Sequence, residues 1–189
     1  RSIRLHRRVR STTLGENKWQ VVLPPSGVFP GSDYKKVWTL GGGKSLLFGV
    51  GNTLIGQPNQ PSQIAFSAAN VTALSKGRSE SEIYFSDANT VKRLSLTNTS
   101  SPVTISTITG SNTTLDLHVF TNGDFIAVGE NGLYRHYVAS SNNFLSYSGP
   151  ATTGNLRAVT FTDHISGVIV GDYNANGNYF RNQNQNVSP

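Results

Sequence analysis

The sequence contains no cysteine and no methionine among its 189 residues. The first absence excludes disulfide bonds, thiolate metal ligands and a cysteine nucleophile. The second extends to position 1, which indicates that the chain begins after a processing event or belongs to a longer protein. No run of about twenty apolar residues is present, so the sequence predicts no membrane-spanning helix.

Acidic residues are scarce as well, and the positive charge is concentrated at one end. The chain carries 16 Lys and Arg against 10 Asp and Glu, and five arginines stand in the first ten residues: Arg1, Arg4, Arg7, Arg8 and Arg10. Ile3, Leu5 and Val9 alternate with basic residues there, which favours a β-strand with a solvated basic face. The same basic arm is a candidate contact for an acidic protein partner, and the alternation argues against nucleic acid.

A short phrase recurs along the chain, made of an apolar strand, a glycine and a turn containing asparagine. Its copies lie at 125–135 and 167–181, with a weaker one at 46–55 and a degraded one at 82–94. The steps from Gly51 to Gly129 and from Gly129 to Gly171 are 78 and 42 residues, so the period is close to forty. Such a period, with several short strands per unit, predicts an all-β fold: a β-propeller built from four-stranded repeats.

Four repeat units can be placed on the chain, with strands ahead of them that would close the fold. The closing strands and the basic arm occupy 1–30, and the units occupy 31–69, 70–110, 111–152 and 153–189. Two architectures agree with this division: a single propeller domain whose ends complete one shared sheet, or a segment of a larger propeller. Both remain open at the level of sequence.

The Val-Gly phrase at Val170 and Gly171, with the strand pattern Val159-Thr-Phe161 before it, resembles the sialidase-like (BNR) repeat propellers. The photosystem II assembly-factor-like proteins belong to that group. The Asp-box of the sialidase-like repeats is absent, since its nearest counterpart at 86–90 lacks the glycine and the tryptophan. The resemblance therefore implies the propeller architecture and no particular activity.

One candidate metal site follows from a loop motif. Asp172, Asn174 and Asn176, followed by Gly177, match the opening of a calcium-binding loop. Only Asp172 is charged, and Gln183 stands where an EF-hand has its bidentate Glu. The sequence therefore predicts no cofactor beyond weak calcium binding, and the loop is also explained as a hairpin turn.

Aromatic residues are the second group of candidate binding residues. Seven tyrosines and Trp38 are assigned to turns or strand ends, where aromatic side chains often contact a protein or a sugar, and about half of them are expected to be core spacers instead. The candidates for partner-binding loops are Tyr34, Trp38, Tyr134 and Tyr173.

Catalysis has little support in the sequence. Carboxylates are spread out, and the four histidines show no metal-ligand spacing and are interpreted as structural. Arg93, Arg135 and Arg181 recur late in the third strand of their units, which suggests one equivalent exposed position in each repeat.

The function expected is a non-catalytic binding or assembly module that presents its loops to a protein or glycan partner. Sequons such as Asn98-Thr-Ser100 permit a secreted or surface location within a larger assembly. Two alternatives remain: a small viral coat protein of jelly-roll type with a basic arm, and a glycan-acting enzyme on a propeller.

Overall fold

The computed structural model describes the backbone of residues 9–13, 16–22, 34–57, 60–146, 149, 152–173 and 176–182, and side chains within 34–57, 62–146, 149 and 152–172. These residues form strands and one short 3₁₀ turn, Glu130–Gly132. The all-β prediction is thereby confirmed. Two compact units divide the chain, Arg1–Ala69 and Asn70–Pro189, here called unit 1 and unit 2.

Unit 1 contains a two-stranded sheet and a four-stranded antiparallel sheet. The first consists of β1 (Val9–Thr13) and β2 (Glu16–Val22). The second has the order β3 (Lys36–Gly41), β4 (Lys44–Phe48), β5 (Gly51–Gln57) and β6 (Gln60–Ala68). Its core includes Leu46, Phe48 and Leu54, and the ring of Phe66 meets Phe48 edge-on at 6.2 Å.

Unit 2 contains three antiparallel sheets, each built from consecutive strands. The first comprises β7 (Val71–Lys76), β8 (Glu82–Asp87), β9 (Thr90–Ser95) and β10 (Asn98–Thr107). The second comprises β11 (Thr114–Val119), β12 (Phe125–Gly129), β13 (Tyr134–Val138) and the two-residue β14 (Asn143–Phe144). The third comprises β15 (Leu156–Phe161), β16 (Gly167–Tyr173) and β17 (Asn176–Asn182). Consecutive pairing of this kind differs from the jelly-roll connectivity on which the coat-protein alternative depends.

The three sheets pack face to face, and the apolar run of β12 shows why. Every residue of Phe125–Gly129 is buried because the strand has a sheet against each of its faces. Phe125 and Ala127 contribute to a cluster with the first sheet, and Ile126 and Val128 contribute to a cluster with the third. Because successive side chains of a strand point to opposite faces, alternate residues of β12 belong to two different cores.

A glycine recurs at this position because a neighbouring backbone carbonyl leaves no space for a side chain. At Gly129 a Cβ would lie 2.0 Å from the carbonyl oxygen of Thr113, and at Gly171 it would lie 2.3 Å from that of Asn155. The next residue in each repeat donates its N–H to the same carbonyl. Asp87 takes this place in the first sheet, where its carboxylate accepts the N–H of Asn70 at 3.0 Å.

The two Asn-Gly turns differ in their backbone. Asn131 and Gly132 both have positive φ, at 52° and 71°, as the hairpin signal predicts. In the other pair only Gly123 does, at 93°. The Asn122 side chain instead accepts the N–H of Asp124 at 3.0 Å, which closes the turn by a side-chain bond.

Candidate functional site

Three hairpin loops of unit 2 lie side by side at one edge of its sheets. They are loop 1 (77–81) after β7, loop 2 (120–124) after β11 and loop 3 (162–166) after β15. The strands β11 and β15 run in the same direction, because Asp116 accepts the N–H of Val159 at 2.9 Å and His118 accepts that of Phe161 at 3.4 Å. We call the surface formed by loops 1, 2 and 3 the loop edge.

Two guanidinium groups, Arg78 of loop 1 and Arg93 of β9, approach the carboxylate of Glu82. Arg78 binds both oxygens of Glu82, with Nε at 2.7 Å and Nη2 at 3.1 Å, and its own backbone N–H donates at 2.9 Å. Arg93 stands 3.9 Å from the same carboxylate. The hydrogen bonds from Arg78 lower the pKa of Glu82, so its charge is retained in mild acid. Lys76 and Glu80 form a second ion pair at loop 1, so charges of both signs stand at this end of the first sheet.

Loop 2 is held by the buried carboxylate of Asp124. One oxygen accepts the N–H of Ala139 at 2.8 Å, and the other accepts the amide N–H of Asn122 at 2.9 Å. The turn also touches loop 1, because a Cβ at Gly123 would lie 3.2 Å from the Arg78 Cδ. Loops 1 and 2 are therefore packed together through the aliphatic stem of Arg78.

Loop 3 presents an imidazole and an apolar side chain. Asp163 accepts the N–H groups of Ile165 at 2.8 Å and Ser166 at 2.7 Å, and the bond from Ile165 lowers the pKa of Asp163. This closed turn leaves Ile165 51% exposed. The ring of His164 stacks on Phe120 of loop 2, with centroids 4.1 Å apart.

The histidines that the sequence shows as scattered come together below this edge. His118 pairs with Ile126 across β11 and β12, and Ile126 pairs with His136 across β12 and β13, so the two histidines lie in one row on one sheet face. The ring of Phe120 lies 4.9 Å from His118, 6.4 Å from His136 and 4.1 Å from His164. The cluster depends on strand register, which the spacing of the histidines along the sequence does not reveal.

The packing between the second and third sheets is here called the histidine joint. Its apolar members include Phe120, Ile126, Val128, Leu156 and Phe161. Burial lowers the pKa of both His118 and His136, because the charged imidazolium loses hydration there. Within the described part of the chain, no group of three or more His, Asp or Glu side chains is arranged to hold a metal ion.

The packing between the first and second sheets is here called the apolar joint. It includes Ala73, Tyr84, Leu117, Phe125 and Tyr137. Phe125 stacks on Tyr137 with centroids 4.7 Å apart. Tyr84 and Tyr137, which the sequence groups with exposed aromatics, are core residues in this joint.

The aromatic candidates do not form one surface. Trp38 is the third residue of β3, half-buried in an alternating strand, so its expected position at a turn or strand end is wrong. Tyr34 is half-buried, and burial raises its pKa. Tyr134 packs against the apolar residues of the histidine joint, and Tyr173 ends β16 opposite Asn176. The partner-binding role of these four stays a prediction.

The carboxylate of Asp172 forms an ion pair with the guanidinium group of Arg157. Arg157 donates to both carboxylate oxygens, at 2.7 and 2.6 Å, and this pairing lowers the pKa of Asp172. A calcium ion would have to displace the guanidinium group. Asn174 lies outside the described residues and Asn176 is described only as backbone in β17, so weak calcium binding stays a prediction.

The remaining candidates are described in part. Arg1, Arg4, Arg7 and Arg8 lie outside the described residues, and Arg10 pairs with Val21 in β1. Arg93 pairs with Tyr84, three residues before Asp87, whereas Arg135 pairs with Ala127, two before Gly129. Arg181 pairs with Val168, three residues before Gly171, and so matches Arg93. The equivalent position expected for the three arginines therefore holds for Arg93 and Arg181 and is wrong for Arg135. The described residues contain no helix long and apolar enough to cross a membrane.

Comparison with known proteins shows what the sequence alone leaves open. No protein-family model matches the chain, and no curated protein matches it. The structure is similar to "YCF48 bound to D1 peptide", with a TM-score of 0.62 and 14% sequence identity, over 93% of this chain and 60% of that one. At this identity the likeness establishes the fold. The predicted class, an all-β propeller of four-stranded sheets, is thus confirmed, and the chain spans about 60% of the length of that neighbour.

Proposed function

We propose that the protein is a non-catalytic binding module and that its loop edge holds an extended segment of a protein partner. The observation that carries the proposal is the set of three adjacent loops that display Arg78, His164 and Ile165. The loops are fixed by Glu82, Asp124 and Asp163, which accept backbone N–H groups. A surface that is ordered before binding loses less entropy when a partner docks.

The structural neighbour supports a peptide as the class of partner. That protein is described as bound to a peptide, and it shares the fold of this chain. Loops on a rigid β-scaffold are a common location for binding residues. The likeness covers the scaffold, so the residues that contact a partner are proposed from the loop edge of this chain alone.

The chemistry of the loop edge defines the partner segment. Ile165 offers an exposed apolar contact beside the His164 ring, and Arg93 stands 3.9 Å from the Glu82 carboxylate, which Arg78 already binds. A complementary segment would carry an apolar side chain for Ile165 and a nearby carboxylate for the guanidinium groups. The proposal assigns no catalytic role to Arg93, Arg135 or Arg181. The proposal also includes a secreted or surface location of the module within a larger assembly.

The test uses a displayed library of random twelve-residue peptides selected on the whole protein. Ile165→Ser should weaken the selected peptides about tenfold, because loss of one apolar anchor costs more than about 1 kcal/mol. Val103→Ser is the matched control, since Val103 on β10 is 50% exposed and Ile165 is 51% exposed. Equal losses in both variants, or no enriched peptide, would contradict the proposal. Binding confined to a glycan array would replace the protein partner with a glycan.

A further inference from the structure

The histidine joint contains a bond that exists only while one imidazole is neutral. The N–H of Phe161 on β15 donates to Nδ1 of His118 on β11 at 3.4 Å. A neutral imidazole with its proton on Nε2 accepts this bond, and an imidazolium has a proton on each nitrogen. Protonation of His118 would therefore place two donors against each other across the joint.

The environment of the His118 imidazole disfavours its protonated form. The His118 ring lies between Phe120 at 4.9 Å and Phe161 at 5.8 Å, in a largely apolar environment. His136 lies in the same row, and burial is the largest influence on the pKa of both residues. The neighbouring charge of His164 lowers the pKa of both as well.

Two carboxylates face the cluster and act in the opposite direction. Asp116 of β11 raises the pKa of His118, and Asp124 of loop 2 raises that of His136, each by less than burial lowers it. Both acids are occupied by backbone donors, Val159 and Ala139 respectively. On β15 the charged residue is Arg157, which pairs with Asp172, and on β13 it is Arg135, which donates to the carbonyl of Tyr134. β12 carries no charged residue.

We infer that the histidine joint is an acid-sensitive contact, in which protonation of His118 breaks the bond to Phe161 and releases the third sheet of unit 2 from the second. The apolar joint has no counterpart among the described residues, because their three histidines, His118, His136 and His164, all lie around Phe120 in the histidine joint. Mild acid thus loosens the third sheet while the first two remain packed. The inference concerns the scaffold and is independent of the partner proposed for the loop edge.

Hydrogen exchange at the Phe161 amide tests this inference, with protection factors corrected for the intrinsic pH dependence of exchange. Between pH 7.5 and 5.5, protection in the wild-type protein should fall by up to about tenfold per pH unit for each proton taken up. His118→Gln keeps an acceptor without a titrating group, so the variant should lose the part of the slope that comes from His118 and keep only the part that comes from His136. A flat wild-type profile, or the same slope in the variant, would overturn the inference.

A second measurement needs no variant. Nitrogen-detected NMR of the wild-type imidazoles at pH 7.5 should show His118 Nδ1 without a proton and Nε2 with one. The same spectra on acidification should show His118 titrating below pH 6.5, the ordinary value for an imidazole in water. A proton on Nδ1 at pH 7.5, or titration above the ordinary value, would contradict the assignment even if His118→Gln fails to fold.

Discussion

The two joints of unit 2 lie on opposite faces of the second sheet but differ in chemistry. Both use β12, whose residues alternate between them, with Phe125 and Ala127 on one side and Ile126 and Val128 on the other. The apolar joint is filled by rings and aliphatic side chains, whereas the histidine joint adds His118 and His136. The difference shows that equivalent interfaces in a repeat protein can respond differently to pH while the backbone pattern is kept.

The apolar joint depends on dispersion and burial, which change little between pH 7.5 and 5.5. The ionisable residues of its apolar cluster are Tyr84 and Tyr137, and burial raises the pKa of both. These phenols therefore stay neutral throughout the mildly acidic range. The joint is expected to hold the first and second sheets together whenever the second is folded.

The largest effect is expected from Phe125→Ala. The Phe125 side chain is fully buried and contacts the rings of Tyr137, Phe144 and Tyr84. Its removal should lower the free energy of unfolding by about 3–5 kcal/mol through lost burial and a new cavity. The same loss is expected at pH 7.5 and at pH 5.5.

Urea unfolding measures this loss with two intrinsic probes. Six of the seven tyrosines lie in 70–189, and both tryptophans lie in 1–69, so tyrosine emission reports on unit 2 and tryptophan emission on unit 1. The variant should shift the tyrosine transition. A loss below about 1 kcal/mol, or one that changes with pH, would mean that Phe125 does not act through burial alone.

The next effect in size is the pH dependence of wild-type unit 2. Below pH 6.5 the unfolded chain takes up protons on His118 and His136 before the folded chain does, because burial lowers both pKa values. Stability is therefore complete above pH 6.5 and is lost as the pH falls from there through the folded pKa values. The slope is at most about 1.4 kcal/mol per pH unit for each histidine.

Tyrosine-detected urea unfolding between pH 7.5 and 5.5 checks this slope. The His118→Gln variant should have roughly half of it, since His136 remains. Lys76→Gln, a change on β7 in which no imidazole is altered, should keep the full slope. A wild-type stability that is constant or rises on acidification would refute the assigned role of the two histidines.

The smallest effect is expected from His164→Gln. The charge of His164 lowers the pKa of His118 and His136, so its removal should move both titrations to higher pH. The joint would then respond to weaker acid. NMR titration of the two imidazoles gives the shift, and movement to lower pH would show that His164 does not act by its charge.

The repeat and its turns could be predicted from the sequence because they depend on local signals. The apolar run at Phe125–Gly129 indicates a strand covered on both faces, and Asn131-Gly132 indicates the hairpin that follows. Gly129 and Gly171 recur because a neighbouring carbonyl leaves no space for a Cβ. Each of these causes acts within one repeat or between adjacent strands.

The histidine joint could not be predicted, because His118, His136 and His164 are brought together by two strand registers and one loop. The spacing of these histidines along the sequence does not indicate that they pair across strands. A shift of one residue in a strand reverses the face of every side chain, which also separates Arg93 from Arg135.

The most direct test of the difference between the joints uses the absence of native cysteine. Ala127→Cys and Val128→Cys place a single thiol in the apolar joint and in the histidine joint, at neighbouring positions of β12 whose native residues are both 0% exposed. Labelling by a dipyridyl disulfide at pH 7.5 and 5.5, relative to unfolded protein, measures the opening of each joint. We expect acid to accelerate labelling at position 128 and to leave position 127 unchanged, whereas equal acceleration at both positions, or at neither, would contradict the account.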